Sequence, residues 1–84
     1  MANLQHLVAD GTTKTIKTAN KPSLKELQDL VGGYIEVVRT LDGLVLVVDE
    51  EGRLSGKSVN VAASKLAGQV IVGDAVLMRS SDLE

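Results

Sequence analysis

The sequence predicts a small α+β domain, in which a mostly antiparallel sheet carries two short helices. Two Asp-Gly pairs, Asp10-Gly11 and Asp42-Gly43, each lie between segments rich in β-branched or aliphatic residues. Asp-Gly is a strong signal for a tight hairpin turn, because both residues tolerate a positive φ. The run from Ser23 to Glu26 has the capping-box pattern that opens a helix. We therefore expect the element order β-β-α-β-β-α-β.

Two segments near the N-terminus form the first predicted hairpin. Residues 4–8 lean towards apolar side chains, and residues 13–18 read TKTIKT, a composition typical of strands. We expect this hairpin to occupy residues 1–22, the rest of the fold to occupy residues 23–79, and a short tail to cover residues 80–84. Together they form one domain, because 84 residues lie at the lower end of the range that folds independently.

The first helix is predicted to begin at Ser23, whose hydroxyl can accept the backbone N–H of Glu26. Gly32 and Gly33 end the helix, because glycine adopts the left-handed conformation of a helix C-terminus at little cost. At about nine residues the helix is too short to persist alone, so its apolar face must pack on the sheet. That face consists of Leu24, Leu27, Leu30 and Val31.

Residues 34–41 and 44–49 form the second predicted hairpin, with Asp42-Gly43 at its turn. The second of these strands is apolar on both faces, which predicts a strand covered on both sides. The side chains of the first strand alternate between two faces. One face carries Ile35, Val37 and Arg39, and the other carries Tyr34, Glu36, Val38 and Thr40.

The last third of the chain predicts a second helix and a final strand. Asn60 is a good cap for a helix over residues 61–67, which ends at Gly68. Residues 69–79 then form the last strand. Gly73-Asp74 interrupts its apolar pattern, and such a pair within a strand is typical of a bulge or a sharp bend.

The composition excludes several classes of function. The net charge of −2 does not favour a polyanionic partner, so nucleic-acid binding is not expected. The lysines near the N-terminus also lack the aromatic residues on which single-stranded bases stack, since Tyr34 is the only aromatic residue. The chain has no cysteine and therefore no thiolate metal site. No apolar run reaches the roughly 18 residues of a membrane span, so we expect a cytoplasmic protein.

Parts of the sequence resemble an uncharacterised family of phages and other mobile elements. The runs PSLKELQDLVGGYIEVV, LVVDEEGRLSG and IVGDAVLM, with an Asn-led, Ala-rich helix before the last run, occur in that family's order over residues 23–78. The family is a domain of unknown function found in bacteriophage and plasmid genomes and in their hosts. The resemblance implies a mobile-element origin, a location in the host cytoplasm if a phage encodes the chain, and no particular activity. The matching positions are Gly32, Gly33, Glu36, Glu50, Gly52, Asn60, Gly73 and Asp74.

The sequence contains no recognisable catalytic or metal-binding motif, so we expect neither an enzyme nor a cofactor. His6 is the only histidine and has no partner at a supporting spacing, which predicts an exposed residue on the first strand. The carboxylates of residues 49–51 are contiguous, unlike the alternating ligands of a Ca²⁺ loop, and predict a solvated turn. The glycine pairs lack the G-x-G-x-x-G and G-K-[ST] patterns of phosphate-binding loops.

Glu36, Asn60 and Tyr34 are the candidate ligand- or partner-binding residues. Glu36 lies among apolar neighbours, so it either pairs internally, with Arg39, Arg53 or a backbone N–H, or forms part of a site. Asn60 opens a helix, where free N–H groups favour an anion, although capping alone would also explain it. Tyr34 shares the predicted face of Glu36, so the fold could unite these residues in one polar spot.

Three functional classes remain, and an enzyme ranks last because acid–base and nucleophilic residues are sparse. The first is a non-catalytic binding module that acts on a host protein or through self-association, and the long aliphatic runs of a small chain favour a homo-oligomer, most simply a dimer. The alternative is a protein that sequesters a small anionic or nucleotide-like ligand in a pocket between subunits. A concave pocket lined by Glu36, Tyr34 and Asn60 would favour the ligand, and a flat apolar patch would favour the protein partner.

Overall fold

The computed structural model describes residues 2–40, 43–52 and 54–83. These residues form five strands and three helices, which confirms the α+β class and the predicted order of the first seven elements. The eighth element is one helical turn in the residues predicted as a tail. Among the described residues, no helix is long and apolar enough to span a membrane. In chain order the elements are β1 (Ala2–Leu7), β2 (Thr13–Thr18), α1 (Leu24–Val31), β3 (Ile35–Arg39), β4 (Val45–Asp49), α2 (Val61–Ala67), β5 (Ala75–Met78) and α3 (Ser80–Leu83).

The five strands form one antiparallel sheet in the order β2-β1-β5-β4-β3. Both predicted hairpins are present, with Leu4 opposite Ile16 in the first and Val37 opposite Val47 in the second. β5 lies between the two hairpins and joins them. This order leaves β2 and β3 at the two edges of the sheet. Asp42, predicted in the second turn, lies outside the described residues.

The helix α1 begins at the predicted capping box. The Ser23 hydroxyl accepts the N–H of Glu26 at 3.1 Å, and the Glu26 carboxylate accepts the N–H of Ser23 at 3.2 Å. The helix ends at Gly32, whose φ of 84° is left-handed and therefore favours glycine. Leu27 is buried on the sheet, whereas Leu24, also predicted on the apolar face, is exposed at the first position of the helix.

The two longer helices cover opposite faces of the sheet, which we call the α1 face and the α2 face. All five residues of β4 are buried, so the prediction of a strand covered on both sides is confirmed within a single chain. The core on the α1 face consists of Leu4, Leu27, Val31, Val45, Val47, Val76 and Met78. The core on the α2 face consists of Leu7, Leu46, Val48, Ala63, Ala67, Ile71 and Ala75.

The last strand is shorter than the predicted residues 69–79, since β5 spans only Ala75–Met78. Before it, Val72 forms an isolated bridge with Val59, and Gly73 has a φ of 78°. A left-handed residue redirects the chain, and few residues other than glycine adopt that conformation. The chain therefore bends sharply at Gly73-Asp74, and β5 begins directly after this bend.

His6 is largely buried, so the prediction of an exposed histidine was wrong. Its ring lies on the α1 face of β1, with Nε2 3.0 Å from the carbonyl oxygen of Leu30 and 3.9 Å from a carboxylate oxygen of Asp74. The last turn of α1 covers this part of β1. Nothing in the sequence of β1 indicates that packing, which explains the error.

Candidate functional site

Glu36 lies on the edge strand β3 and belongs to the α2 face, where it is opposite Val48. Its side chain is exposed, although its neighbours in the sequence are mostly apolar. The reason is the position of β3 at the edge of the sheet, since an edge strand has a neighbour on one side only. Arg53, one of the predicted partners of Glu36, lies outside the described residues.

A groove of about 330 Å³ opens on the α2 face beside Glu36, and we call it the β3 groove. Its floor comes from the sheet, and its walls come from the turn after β4 and from the segment that follows α2. Leu54 is 88% exposed and Val70 is 53% exposed, so the walls present aliphatic side chains to solvent. The lining residues are Glu36, Val38, Val48, Asp49, Glu50, Gly52, Leu54, Gln69, Val70, Ile71 and Val72.

The charged side chains that line the β3 groove, among the described residues, are all acidic. The side chains of Glu36 and Glu50 are both exposed and both line the groove. Carboxylates that share one concave surface create a negative potential, which attracts cations and repels anions. The groove therefore combines aliphatic walls with negative charge, and it suits a partner that carries apolar and basic groups.

Tyr34 lies just before β3 and lines a different concavity, a cleft of about 570 Å³ at the C-terminal end of α1. The strand was predicted to include Tyr34, but it begins at Ile35. The backbone carbonyl of Tyr34 nevertheless accepts a hydrogen bond from the N–H of Glu50 at 2.9 Å. The cleft is lined by Gln28, Asp29, Gly32, Gly33, Tyr34, Asp49, Glu51 and Ser55.

Asn60 is 1% exposed, and its side chain binds three backbone groups inside the protein. Its Oδ1 accepts the N–H of Ala63 at 3.1 Å, which confirms the predicted cap of α2. Its Nδ2 donates to the carbonyl oxygens of Leu7 and Gly73, each at 2.9 Å. Asn60 thus holds the start of α2 against the end of β1 and the bend before β5. The three candidate residues do not share one surface, since Asn60 is buried while Glu36 and Tyr34 line separate concavities.

Buried Asp49 and partly buried Lys57 form an ion pair that the sequence did not predict. Lys57 Nζ donates to Asp49 Oδ2 and also, at 2.9 Å, to the carbonyl oxygen of Val31 at the end of α1. The Asp49 side chain is only 4% exposed, so its expected place in a solvated acidic turn was wrong. Glu50 and Glu51, the other two carboxylates of that run, are exposed as predicted.

The ion pair lowers the pKa of Asp49 below its ordinary value. The hydrogen bond from Lys57 is the largest cause, and the N–H of Glu51, which donates to Asp49 Oδ1 at 2.9 Å, acts in the same direction. Burial raises the pKa and partly opposes these contacts. Asp49 is therefore charged in the folded protein at neutral pH, and we assign it a structural role.

Three glycines of the resemblance pattern surround this ion pair. A Cβ atom on Gly33 would lie 2.9 Å from Asp49 Oδ1, one on Gly32 would lie 3.0 Å from Lys57 Nζ, and one on Gly73 would lie 2.7 Å from Lys57 Cδ. These separations are shorter than ordinary van der Waals contacts. The glycines therefore provide room for the two charged side chains, in addition to ending α1 and bending the chain before β5.

The described residues contain no group of three or more His, Cys, Asp or Glu side chains that could hold a metal ion. His6 and Asp74 approach each other, but His6 Nε2 is engaged with Leu30 and Asp74 Oδ1 accepts the N–H of Ala9 at 3.0 Å. Among the concavities of the described residues, we take the β3 groove as the candidate site, because the exposed side chains of Leu54 and Val70 line it together with the carboxylates of Glu36 and Glu50. Sequence reasoning found Glu36 but missed Leu54 and Val70, because these residues come together only through the loops.

Comparison with known proteins identifies a family but no activity. No curated protein and no solved structure matches the chain. The profile of one family matches residues 4–84, a range that includes the N-terminal hairpin as well as the segments that carry the resemblance. The match covers nearly the whole chain. The protein therefore belongs to the family described as a domain of unknown function, DUF3846.

Proposed function

We propose that this chain is a non-catalytic binding module that engages a protein partner through the β3 groove. The observation that carries the proposal is the exposure of Leu54 and Val70 on the walls of a groove whose rim carries Glu36 and Glu50. Exposed aliphatic side chains in a groove are a frequent basis of protein and peptide recognition. The partner segment suited to this groove is extended and carries apolar residues next to Lys or Arg.

The geometry supports a protein partner more than the alternative of a small anionic ligand. An anion in the β3 groove would meet Glu36 and Glu50, and in the cleft at the end of α1 it would meet Asp29 and Glu51. Lys25 and Lys57 lie beside the cleft, but the ammonium group of Lys25 pairs with Asp29, and that of Lys57 is held by Asp49 and by the carbonyl of Val31. Among the described residues, no Lys or Arg side chain lines either concavity, so these residues do not give an anion the positive surroundings that it requires.

A peptide-display selection tests the proposed function without knowledge of the natural partner. The full chain is used to select from a library of random linear peptides, and the affinities of the selected peptides are measured by fluorescence anisotropy. We expect the selected peptides to combine aliphatic residues with Lys or Arg. Leu54→Ser and Glu36→Lys should each weaken binding about tenfold or more, because an anchor contact and an opposite charge are lost.

A matched control comes from α2. Val61 is 60% exposed, much like the groove residues, but it does not line the β3 groove. Val61→Ser should leave the affinity unchanged. Equal weakening by Val61→Ser and Leu54→Ser, or selected peptides that are acidic, would contradict the proposal. A pull-down from host lysate, with mass spectrometry of proteins and metabolites, then separates a protein partner from a small ligand.

The biological setting extends the same proposal. The resemblance of residues 23–78 to sequences of phages and plasmids supports a mobile-element origin and action in the cytoplasm of a host cell. A host protein is then the natural partner of the groove. Expression of the chain in candidate bacterial hosts, followed by cross-linking at Leu54→Cys, would identify that protein, and a failure to capture any protein through this position would count against a host target.

A further inference from the structure

The backbone of β3 presents three residues to solvent along the sheet edge. The N–H of Glu50 donates to Tyr34, and the N–H of Thr40 donates to Leu44, so even-numbered residues of β3 direct their backbone groups towards β4. Hydrogen-bonded pairs alternate along an antiparallel ladder. The N–H and C=O groups of Ile35, Val37 and Arg39 therefore point away from the sheet, and the side chain of Val37 is 43% exposed beside them.

Charge is distributed unequally along this edge. Arg39 is exposed at the C-terminal end of β3. Glu51 lines the cleft at its N-terminal end, as does Asp29, which also pairs with Lys25 at 3.6 Å. A strand that is basic at one end and acidic at the other is complementary to itself when two copies run antiparallel. Such pairing places each Arg39 at the acidic end of the other copy.

We propose that two copies of this chain associate through their β3 edges, antiparallel about a two-fold axis at Val37. This inference goes beyond the proposed function, because it concerns the backbone edge of β3 and not the groove beside it. In this register Val37 is opposite Val37 of the second copy, and Ile35 is opposite Arg39. The two sheets become one sheet of ten strands, since each copy contributes five.

The register follows from electrostatics. A shift that places Glu36 opposite Glu36 of the second copy brings two carboxylates together, and like charges directly opposite each other destabilise a strand pair. Pairing about Val37 avoids this, because Glu36 is then opposite Val38. It also keeps the α2 faces of both copies on the same side, so that the two β3 grooves flank the axis and remain open.

The opposite edge of the sheet is less suited to association. The N–H of Val8 donates to Thr12, so by the same alternation Thr13, Thr15 and Lys17 direct their backbone groups outward from β2. Lys14 and Lys17 give this edge two positive charges and no nearby acidic residue on the strand. Lysine on an edge strand opposes pairing between identical copies.

Cysteine cross-linking tests the contact directly, because the natural chain has no cysteine. In a hydrogen-bonded antiparallel pair the Cα atoms are about 5.5 Å apart, within the range of about 4.4–6.8 Å that disulfides span. Val37→Cys should form a covalent dimer rapidly under mild oxidation. Thr15→Cys, at the matching outward position of β2, should stay largely monomeric on a denaturing gel.

Sedimentation of the wild-type chain, without any peptide, should show a dimer at high micromolar concentration. Arg39→Glu should weaken the dimer about tenfold, while Lys14→Glu on β2 should not weaken it. A monomeric wild-type chain would overturn the proposal, as would a dimer that Thr15→Cys cross-links more readily than Val37→Cys. These results are independent of peptide binding to Leu54→Ser and Glu36→Lys, so the dimer contact and the proposed function can fail separately.

Discussion

Lys57 reaches Asp49 at the end of β4 and closes a buried contact between three segments of the chain. Its ammonium group also donates to the carbonyl oxygen of Val31, one of the carbonyls that the end of α1 leaves without a helical partner. The negative end of the helix dipole favours a cation at that place. The ion pair thus fastens the loop after β4 to the sheet and to α1, and it borders the cleft that holds Tyr34.

The first prediction concerns acid stability. Because the folded-state pKa of Asp49 lies below its unfolded value, the ion pair stabilises the fold above the unfolded pKa of about 3.9, and this contribution is lost as the pH falls through the folded pKa. Asp49→Asn should lower the free energy of unfolding at neutral pH and flatten its acid dependence. Urea melts from about pH 7 to pH 2 measure both effects. An unchanged acid profile in Asp49→Asn would contradict this account.

The second prediction concerns the room that Gly33 leaves for Asp49. Gly33→Ala should destabilise the protein by about 1–3 kcal/mol, because the new Cβ atom displaces the Asp49 carboxylate or the backbone beside it. The same substitution in an Asp49→Ala background should cost much less, since the contact is gone. The two costs come from denaturant melts of the four variants of this cycle. Equal costs in both backgrounds would show that Gly33 serves another purpose.

The third prediction ranks two substitutions in α1. Ser23→Ala should destabilise by about 1 kcal/mol, through the loss of the hydroxyl that caps Glu26. Leu27→Ala should cost about 2–5 kcal/mol, because Leu27 is almost fully buried in the core of the α1 face. Both are measured by urea melts at neutral pH. The opposite ranking would mean that the helix does not pack on the sheet through Leu27.

The fourth prediction separates the roles of Asn60 and Glu36. Asn60→Ser retains a capping hydroxyl but leaves the carbonyls of Leu7 and Gly73 without their donors, so the melting temperature should fall, with a loss of about 1–3 kcal/mol. Glu36→Gln changes an exposed side chain and should alter the stability by less than about 0.5 kcal/mol. Peptide binding should weaken in Glu36→Gln and persist in the folded fraction of Asn60→Ser. If Asn60→Ser instead abolished peptide binding without lowering the stability, Asn60 would belong to the binding site.

Local signals in the sequence predicted much of this fold. The capping box at Ser23, the glycine after Val31 and the cap at Asn60 each act through hydrogen bonds within a few residues, so the chain segment itself contains the information. The sequence also predicted that β4 is buried on both faces, because its first four residues are all aliphatic. The sequence did not predict where β5 begins. The bend at Gly73 involves a hydrogen bond from Asn60, which lies before α2, whereas Gly73 lies after it.

The candidate site was less predictable because it depends on which strand lies at the edge. The sequence of β3 does not indicate that β5 lies between the two hairpins. This strand order places β3 at the edge of the sheet and thereby exposes Glu36 and Val37. Asp49 and Glu50 look equivalent in sequence, yet Asp49 forms the ion pair with Lys57. Lys57 lies in the irregular loop between β4 and α2, and only the fold brings it close to Asp49. Contacts of this kind arise from the tertiary arrangement, and no local pattern encodes them.

The central claim is that the β3 groove is the surface that binds a protein partner. Titration of the ¹⁵N-labelled chain with a selected peptide, followed by backbone amide NMR, tests it most directly. We predict that the largest shift changes occur at Glu36, Val38 and Leu54 and at residues 69–72, with little change on β2. Changes confined to the β1–β2 hairpin, or centred on the buried surroundings of Asn60, would contradict the account.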